Sequence, residues 1–329
     1  MRILLTSVGR RGYLVKFFKE ALGNDGEVWG ADNSRYAPAF HYCDETILLP
    51  KITATDYVDL LIDFCVKNHI DMIIPLIDPE LEILALEKVK FSNSRIMIVI
   101  SPLETIQIGF DKYLTYEFGK KNGIAVPETV LTIEEALDLI EKKILSWPLV
   151  VKPRKGSASA NISYCHNQDA LKTAFTNCPL PMIQEFIDGD EYGYDIFSNA
   201  DYRPISVFCK KKLAMRAGET DKARSTNNRE LIDLGFKIAQ NLKIFGPLDA
   251  DIMISKSGPK LLEINPRFGG GYPCSHLAGA SFPAKLIKIF KKEHIEPDIG
   301  SCPEGIYMFK QDEIISSSGK DLESIQKLS

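Results

Sequence analysis

Residues 261–271 read Leu-Leu-Glu-Ile-Asn-Pro-Arg-Phe-Gly-Gly-Gly, and the fold of the chain is best inferred outward from them. Glu263 and Asn265 are two positions apart in an apolar run typical of a β-strand, so their side chains leave the same face. Pro266 ends the strand, Arg267 adds a permanent cation, and the glycines let backbone approach a ligand closely. This set suits a magnesium–triphosphate complex, although an edge strand with a salt-bridged end and a flexible turn is an alternative.

A second pair of carboxylates lies just upstream. The run Leu248–Met253 places Asp249 and Asp251 on one face of another strand. The short turn at Lys256–Pro259 predicts a hairpin, in which Asp251 faces Glu263. Two apposed carboxylates repel each other unless a cation lies between them, and Mg²⁺ binds in proteins through a few carboxylates and substrate phosphates.

Two further segments indicate nucleotide binding. Lys152 ends a predicted strand and precedes a loop of small residues at 153–161, which suits phosphate binding, although an exposed basic hairpin is the alternative. In the strand that ends Gln-Glu-Phe-Ile, Glu185 and the backbone around Ile187 could hydrogen-bond a purine. Glu191 could then bind ribose hydroxyls, although acidic residues beside a Gly-Asp turn are usually only solvated.

Length and composition exclude several classes of protein. A chain of 329 residues is long enough for about two or three compact domains. The net charge of −4 gives no general attraction to nucleic acid, and no apolar run reaches the roughly 20 residues that span a bilayer. The N-terminus lacks a signal-peptide pattern, and the seven scattered cysteines favour neither a zinc site nor a disulfide framework. We therefore expect a cytoplasmic protein.

The pattern of apolar runs predicts an α/β protein whose C-terminal part is α+β. Strands alternating with helices over residues 1–108 predict a parallel, doubly wound sheet with its ligand edge at the strand C-termini. Apolar alternation over Tyr192–Ser198, Pro204–Leu213 and Leu248–Ile254 predicts a larger antiparallel sheet. The end of the chain carries one strand-like run at Gly305–Phe309 and is otherwise polar, so we expect a mobile tail.

Several charged residues are candidates for substrate contact. Arg10 and Arg11 follow the first strand and suit a carboxylate or phosphate, and Asp32 follows the second and could accept from a hydroxyl or amine. In a later charged segment, expected to be a strand end and loop, Arg216 could bind a carboxylate and Glu219 an ammonium. For each of them, a solvated turn or surface face is an equally good explanation.

The order of these motifs resembles the ATP-grasp superfamily, most closely the carboxylate–amine ligases similar to the large subunit of carbamoyl-phosphate synthase. Lys112, Lys152 with its loop, Gln-Glu-Phe-Ile, Glu191, Asp251 and Glu-Ile-Asn-Pro-Arg carry the resemblance. It covers nearly the whole chain and implies a Rossmann-like pre-ATP-grasp domain followed by a two-lobed ATP-grasp fold. The implied boundaries are 1–108 for the first domain, 109–187 for the small lobe, 188–302 for the large lobe and 303–329 for the tail.

The resemblance also implies residue roles. ATP would be bound by Lys112, Lys152, Ser157, Glu185, Phe186, Ile187 and Glu191. One or two Mg²⁺ or Mn²⁺ ions would be bound by Asp251, Glu263 and Asn265. The catalytic set would be Arg267, which stabilises the transferred phosphoryl group, and Lys152. Arg216, from the charged segment and not from the resemblance, completes the predicted catalytic set.

The implied function is an ATP- and Mg²⁺-dependent ligase. It would activate a small carboxylate, with amino acids among the candidates, as an acyl phosphate and join it to an amine, releasing ADP and phosphate. The alternatives are a nucleotide-binding sensor without ligation and a kinase that stops at the phosphorylated product. The expected partners are small-molecule carboxylate and amine substrates and a second copy of the chain in a homodimer, without nucleic acid or membrane.

Overall fold

The computed structural model describes residues 1–156 and 161–328, which contain three sheets. The N-terminal sheet is parallel, as predicted. Its first five strands are β1 (Arg2–Thr6), β2 (Glu27–Asp32), β3 (Glu45–Leu48), β4 (Met72–Pro75) and β5 (Met97–Ile98). Ile3 and Leu5 pack into one apolar core while Leu4 packs into another on the opposite face. Burial on both faces explains why β1 reads as a continuous apolar run.

Helices cover both faces of this sheet. They are α1 (Gly12–Leu22), a 3₁₀ helix (Pro38–Tyr42), α2 (Tyr57–Lys67), α3 (Asp78–Leu86) and α4 (Lys88–Asn93). The loops that leave β1, β2 and β4 meet at one edge of the sheet, where parallel α/β sheets bind ligands. Within the described residues, no helix has both the length and the apolar character needed to cross a membrane.

The small sheet follows a helix pair. The sequence pattern predicts a helix across Phe110–Gly123, and the structure has α6 (Lys112–Lys121) there, preceded by a separate helix α5 (Leu103–Phe110). The break is at Asp111, which accepts from Tyr113 N as the cap of α6 and from Arg154. The later elements are β6 (Thr129–Val130), α7 (Ile133–Glu141), β7 (Leu149–Pro153), β8 (Ser163–Cys165), α8 (Gln168–Asn177) and β9 (Pro181–Glu185), with the strands in the order β6-β9-β7-β8.

The large sheet is antiparallel, as predicted. It contains β10 (Asp190–Ser198), β11 (Pro204–Arg216), β12 (Glu219–Thr226), β13 (Gly246–Ser255), β14 (Gly258–Asn265) and β15 (Tyr307–Phe309), in the order β14-β13-β10-β11-β12-β15. Three helices accompany it: α9 (Arg229–Gln240), α10 (Tyr272–Leu277) and α11 (Phe282–Phe290). The segment expected to be a strand end and loop is a long hairpin, since Ala217 and Gly218 have the positive φ values, 50° and 77°, of a tight turn.

The end of the chain returns to the N-terminal sheet instead of forming the mobile tail that its polar sequence predicts. It forms α12 (Gly319–Ser324) and β16 (Gln326–Lys327), and β16 pairs in parallel with β3. A capping box between Ser318 and Asp321 starts the helix, and Leu328 N donates to Leu48 O. Backbone pairing and caps, which leave no apolar signal in the sequence, order this segment.

Candidate functional site

Four neighbouring strands, β14-β13-β10-β11, direct charged side chains to one face of the large sheet. Asp251 is opposite Glu263 on one side and Gly193 on the other, and Gly193 is opposite Lys210. The predicted facing of Asp251 and Glu263 across a hairpin is confirmed. Side chains two positions apart on a strand lie on the same face. We call this face of the large sheet the polar face, and its further polar residues are Glu191, Asp195, Lys212, Asp249 and Asn265.

Cations separate the carboxylates at the open end of the polar face. Lys212 Nζ lies 2.7 Å from Asp251 Oδ1 and 2.7 Å from Glu191 Oε1. Lys112 Nζ lies 3.5 Å from Glu263 Oε1. Desolvation raises the pKa of Glu263, and the positive charge of Lys112 opposes that rise. The two facing carboxylates can stay close because each has an ammonium group beside it.

A buried layer of charge lies deeper in the sheet. Lys210 is fully buried, and its Nζ lies 2.5 Å from Asp195 Oδ2, which also accepts from Ser275 Oγ. Asp249 lies 4.0 Å from Lys210 Nζ, and burial raises its pKa to about 7. A buried carboxylate without a cation is costly. Lys210 therefore stabilises the packing of the strands that carry Glu191 and Asp251 at the open end of the polar face.

Arg267 lies between two carboxylates at the end of β14. Its Nη2 is 2.9 Å from Asp78 Oδ2, at the start of α3, and its Nη1 is 3.7 Å from Asp249 Oδ2. The N-terminal sheet therefore helps to orient a side chain of the large sheet. A guanidinium held in this way is already oriented, so it can stabilise negative charge that forms on a bound group without first having to move.

Lys152 and Lys112 approach the polar face from the small sheet. Lys152 is buried at the end of β7, and desolvation lowers its pKa to about 8, with Glu263 opposing the shift. Lys112 Nζ donates to Gly156 O at 2.6 Å. Ser157, a predicted ATP contact, lies outside the described residues. The two ammonium groups converge on Glu263, as expected for groups that bind phosphates.

The strand β9 leads into the segment expected to bind a purine. Both carboxylate oxygens of Glu185 accept from Lys260 Nζ at 2.7 Å, and Oε2 also accepts from Glu128 N at 3.0 Å. Phe186 is partly exposed and packs edge-on against Tyr164. The carboxylate of Glu185 therefore orders this segment, and a base bound here would meet backbone and aromatic surface.

A cleft of about 590 Å³ lies between the small and large sheets. It is lined by ten of the predicted site residues, namely Lys112, Lys152, Glu185, Phe186, Ile187, Glu191, Asp251, Glu263, Asn265 and Arg267. A volume of this order suits a nucleotide-sized ligand. The sequence therefore predicts most of the residues that the fold brings together.

The structure does not bring Arg216 to this cleft. Its guanidinium donates to Asp221 at 2.9 Å and to Asp312 at 2.7 Å, and 47% of its side chain is exposed. Register shifts between Lys212 and Met215 interrupt the alternation of β11, so the polar pattern does not continue to Arg216. The assignment of Arg216 to the catalytic set lacks support from this geometry.

Sequence reasoning missed Lys212 and Lys260, and it gave no role to Asp249, although it placed that residue on the same strand face as Asp251. Lys212 bridges two predicted ligand-binding carboxylates, Asp249 contacts Arg267, and Lys260 neutralises Glu185. The period-two spacing of Lys210 and Lys212 on β11 was the available signal, because two lysines on one face of a buried strand need carboxylate partners.

A second cavity of about 360 Å³ lies at the C-terminal edge of the N-terminal sheet. It shares Arg11, Ile77 and Glu219 with the main cleft, so the two cavities adjoin at these residues. The rest of its lining is Ser7, Gly9, Arg10, Asp32, Asn33, Leu49, Pro50, Ile52 and Tyr57. All four residues proposed from the sequence as substrate contacts in addition to Arg216, namely Arg10, Arg11, Asp32 and Glu219, line this cavity.

Comparisons with known families agree with this geometry. Residues 3–99 match the family described as PylC-like, N-terminal domain, and residues 110–271 match the family described as ATP-grasp domain. The second match ends at the last glycine of the stretch 261–271 and includes the whole polar face. The predicted fold, a parallel N-terminal sheet followed by antiparallel sheets, is confirmed.

Two of the relatives that the chain resembles in sequence are ligases. The chain is 31% identical over 105 residues to a D-alanine–D-alanine ligase of Marinomonas sp., a match that covers 30% of this chain and 33% of that enzyme. It is 28% identical over 144 residues to the alpha-aminoadipate–LysW ligase LysX of Sulfurisphaera tokodaii, covering 39% of this chain and 49% of the relative. The matched stretches thus span a third to a half of these enzymes.

Solved structures share the fold over nearly the whole chain. The biotin carboxylase domain of Hydrogenobacter thermophilus 2-oxoglutarate carboxylase, a dimer in complex with MgADP, ADP and bicarbonate, superposes with a TM-score of 0.73. The superposition covers 93% of this chain and 73% of that one at 15% identity. At this identity the likeness concerns the fold.

Proposed function

This chain is an ATP-grasp protein with a PylC-like N-terminal domain, and we propose that it is an ADP-forming ligase that joins a small carboxylate to an amine. The observation that carries the proposal is the facing of Asp251 and Glu263 at the end of a cleft that Lys112 and Lys152 also line. This arrangement places oxygen ligands and phosphate-binding cations around one point, as phosphoryl transfer requires.

We propose that ATP enters the cleft with its base at the segment after β9. Phe186 and the backbone at Ile187 would contact the adenine, and Glu191 the ribose. Lys112 and Lys152 would bind the phosphates. Lys212 lies between Glu191 and Asp251 and would add a third ammonium group near the phosphates.

The residues present fit a divalent metal. Asp251 and Glu263 supply carboxylate oxygens, and Asn265 is two positions from Glu263 on the same face. Among the described residues, no cluster of three or more His, Cys, Asp or Glu side chains forms a metal site alone. Mg²⁺ and Mn²⁺ take one or two carboxylates in proteins and complete their shell with phosphates and water, so Asp251, Glu263 and Asn265 suit either ion. The ion would neutralise charge on the phosphates during transfer.

The proposed reaction has two steps. An oxygen of the substrate carboxylate attacks the γ-phosphorus while the bond to the β,γ-bridging oxygen breaks, giving an acyl phosphate and ADP. A neutral amine then attacks the acyl carbon, loses a proton, and displaces phosphate to form the amide. Arg267, held by Asp78 and Asp249, would stabilise charge on the transferred group in both steps.

The test is incubation of the purified chain with ATP, Mg²⁺ and pairs drawn from an amino-acid panel, with ADP, phosphate and product masses measured. Ligation predicts equal amounts of ADP and phosphate and a product whose mass equals the two substrates minus water. ADP formation without an amine requirement and without phosphate would indicate a kinase. ATP binding without ADP formation with any pair would indicate a sensor, and either result would reject the proposal.

The variant Glu263→Gln tests the metal assignment. It keeps the shape of the side chain but removes a charged oxygen ligand, so we expect kcat to fall on the order of 10²- to 10³-fold with little change in melting temperature. The control is Glu296→Gln, whose side chain is 85% exposed beyond the cleft, and which should retain wild-type rates. Full activity of Glu263→Gln would exclude Glu263 from the metal site.

A homodimer is part of the same proposal. The biotin carboxylase domain that shares this fold is a dimer. Light scattering coupled to size-exclusion chromatography would distinguish a particle of 36.9 kDa from one of twice that mass.

A further inference from the structure

The second cavity contains a cation that lacks a close partner. The Arg11 side chain is only 16% exposed, and Nη2 lies 3.9 Å from its nearest carboxylate, Glu219 Oε1, beyond hydrogen-bond distance. Its Nε has no hydrogen-bond partner among the described residues. Glu219 lies closer to Lys310, at 3.2 Å. A nearly buried guanidinium without a hydrogen-bonded anion is unfavourable by itself and is stabilised when an anion binds.

Arg11 differs in this respect from the other arginine that lines the cleft. Arg267 donates to Asp78 at 2.9 Å, so its charge is already compensated. Arg11 lies where the main cleft and the second cavity join, because it lines both. A carboxylate bound to Arg11 would thus lie at the junction, with the remainder of the ligand in the second cavity and the nucleotide in the main cleft.

The far part of the second cavity combines an apolar wall with a carboxylate. Leu49, Pro50 and Ile52 form the apolar side. Asp32 Oδ2 accepts from Gly9 N and Oδ1 from Ser34 N, both at 2.9 Å. These bonds fix its position, and since an ionised carboxylate has about four acceptor sites, each oxygen can still accept from a ligand.

We propose that the second cavity binds the substrate whose carboxylate is activated, and that this substrate is an amino acid. Its carboxylate contacts Arg11, its aliphatic part packs on Leu49, Pro50 and Ile52, and its ammonium group faces Asp32. The inference rests on the proposed function for the activation step. The cavity, with two arginines and two carboxylates, selects a dipolar ligand because a purely anionic acid leaves Asp32 uncompensated.

The experiment is calorimetric titration with the L-amino acids, their D enantiomers, 4-aminobutyrate and 5-aminopentanoate, in the presence of Mg²⁺ and a non-hydrolysable ATP analogue. We expect at least one to bind, and its analogues lacking the amine or the carboxylate to bind at least about tenfold more weakly. The variant Arg11→Met should weaken amino-acid binding roughly 10- to 100-fold and leave the affinity for the ATP analogue unchanged. The control Arg229→Met removes a surface arginine that is 81% exposed and should behave as wild type.

A second variant does not depend on the charge of Arg11. Ile52→Trp should fill the cavity and weaken amino-acid binding to a similar extent while the nucleotide still binds. Wild-type amino-acid affinity in both variants, or no binding of any panel member to the wild-type chain, would overturn the inference. Amino-acid binding that depends on Arg11 without any ADP formation would instead reject the proposed ligase activity and leave the site assignment standing.

Discussion

The main cleft and the second cavity compensate their charges in different ways. In the cleft, strand register sets charge against charge, as for Lys212 between Asp251 and Glu191 at 2.7 Å. In the second cavity the charged groups lie in loops or at the ends of strands. Asp32 accepts from backbone N–H groups, and Arg11 is 3.9 Å from the nearest carboxylate. A sheet can impose one geometry on many side chains, whereas each loop residue is positioned separately.

This difference explains why nucleotide binding is easier to infer from the sequence than the identity of the substrate. In the proposed function the cleft serves the ATP-dependent step, and its charges lie on paired strands. The second cavity is lined mainly by loops and strand ends, whose side chains can change with little effect on a sheet. If this is correct, changes in the cleft should alter stability and ATP binding, and changes in the cavity should alter only the second ligand.

The largest expected effect is on stability, from Lys210→Met. This change leaves Asp195 buried without its ammonium partner, so we expect the free energy of unfolding to fall by roughly 3–5 kcal/mol, measured by urea denaturation. Lys211→Met is the matched control, because its exposed pair with Asp190 should contribute at most about 1 kcal/mol.

Urea denaturation of a variant in the second cavity tests whether the two regions differ in this way. Arg10→Met, at the rim of the second cavity, removes an exposed cation and should change stability by no more than about 0.5 kcal/mol. If Arg10→Met destabilises the chain as much as Lys210→Met, the second cavity depends on its charges for folding, and the distinction between the two regions is wrong.

The next effect concerns the pH dependence of ATP binding. The pKa of Lys152 is lowered to about 8, so its ammonium charge is present at pH 7 and is lost as the pH rises through 8. ATP affinity should fall about tenfold between pH 7 and 9, measured by titration with a fluorescent analogue. Lys152→Arg should bind with nearly constant affinity over this range, since a guanidinium does not deprotonate.

The pH dependence of ligand binding should also differ between the main cleft and the second cavity. Lys152 does not line the second cavity, so carboxylate binding there should not follow the titration of Lys152. A pH-independent ATP affinity in the wild-type chain would show that Lys152 does not contact the phosphates.

The smallest expected effects come from two glycines, one in each region. A Cβ at Gly193 would lie 3.3 Å from Lys212 Cε and 3.4 Å from Lys210 Cε, so Gly193→Ala displaces both lysines and should weaken ATP binding by about 1 kcal/mol. Gly9 has a φ of +49°, and Gly9→Ala should strain the loop by about 1 kcal/mol and weaken only amino-acid binding. Calorimetry with each ligand distinguishes the two, and a loss of both affinities in either variant would mean that the regions are coupled.

Much of the fold was predictable because its signals are local. The facing of Asp251 and Glu263 follows from period-two spacing and a short turn, and the register confirms it. The secondary structure of the C-terminal tail was not predictable, because β16 forms by backbone pairing with β3, almost three hundred residues earlier in the chain. Backbone pairing requires no particular side chain, so it leaves little trace in the sequence.

The alternation of strands and helices and the residue types of the proposed nucleotide and metal site follow from the sequence alone, because both are encoded within short segments. The tertiary structure alone decided that Lys212 bridges Glu191 and Asp251, that Arg216 leaves the cleft to pair with Asp312, and that Arg11 lies at the junction of two cavities. Those outcomes depend on bulges and on contacts between distant elements. Coulomb interactions act through space, so a residue's partner is fixed only when the fold brings the two charges together.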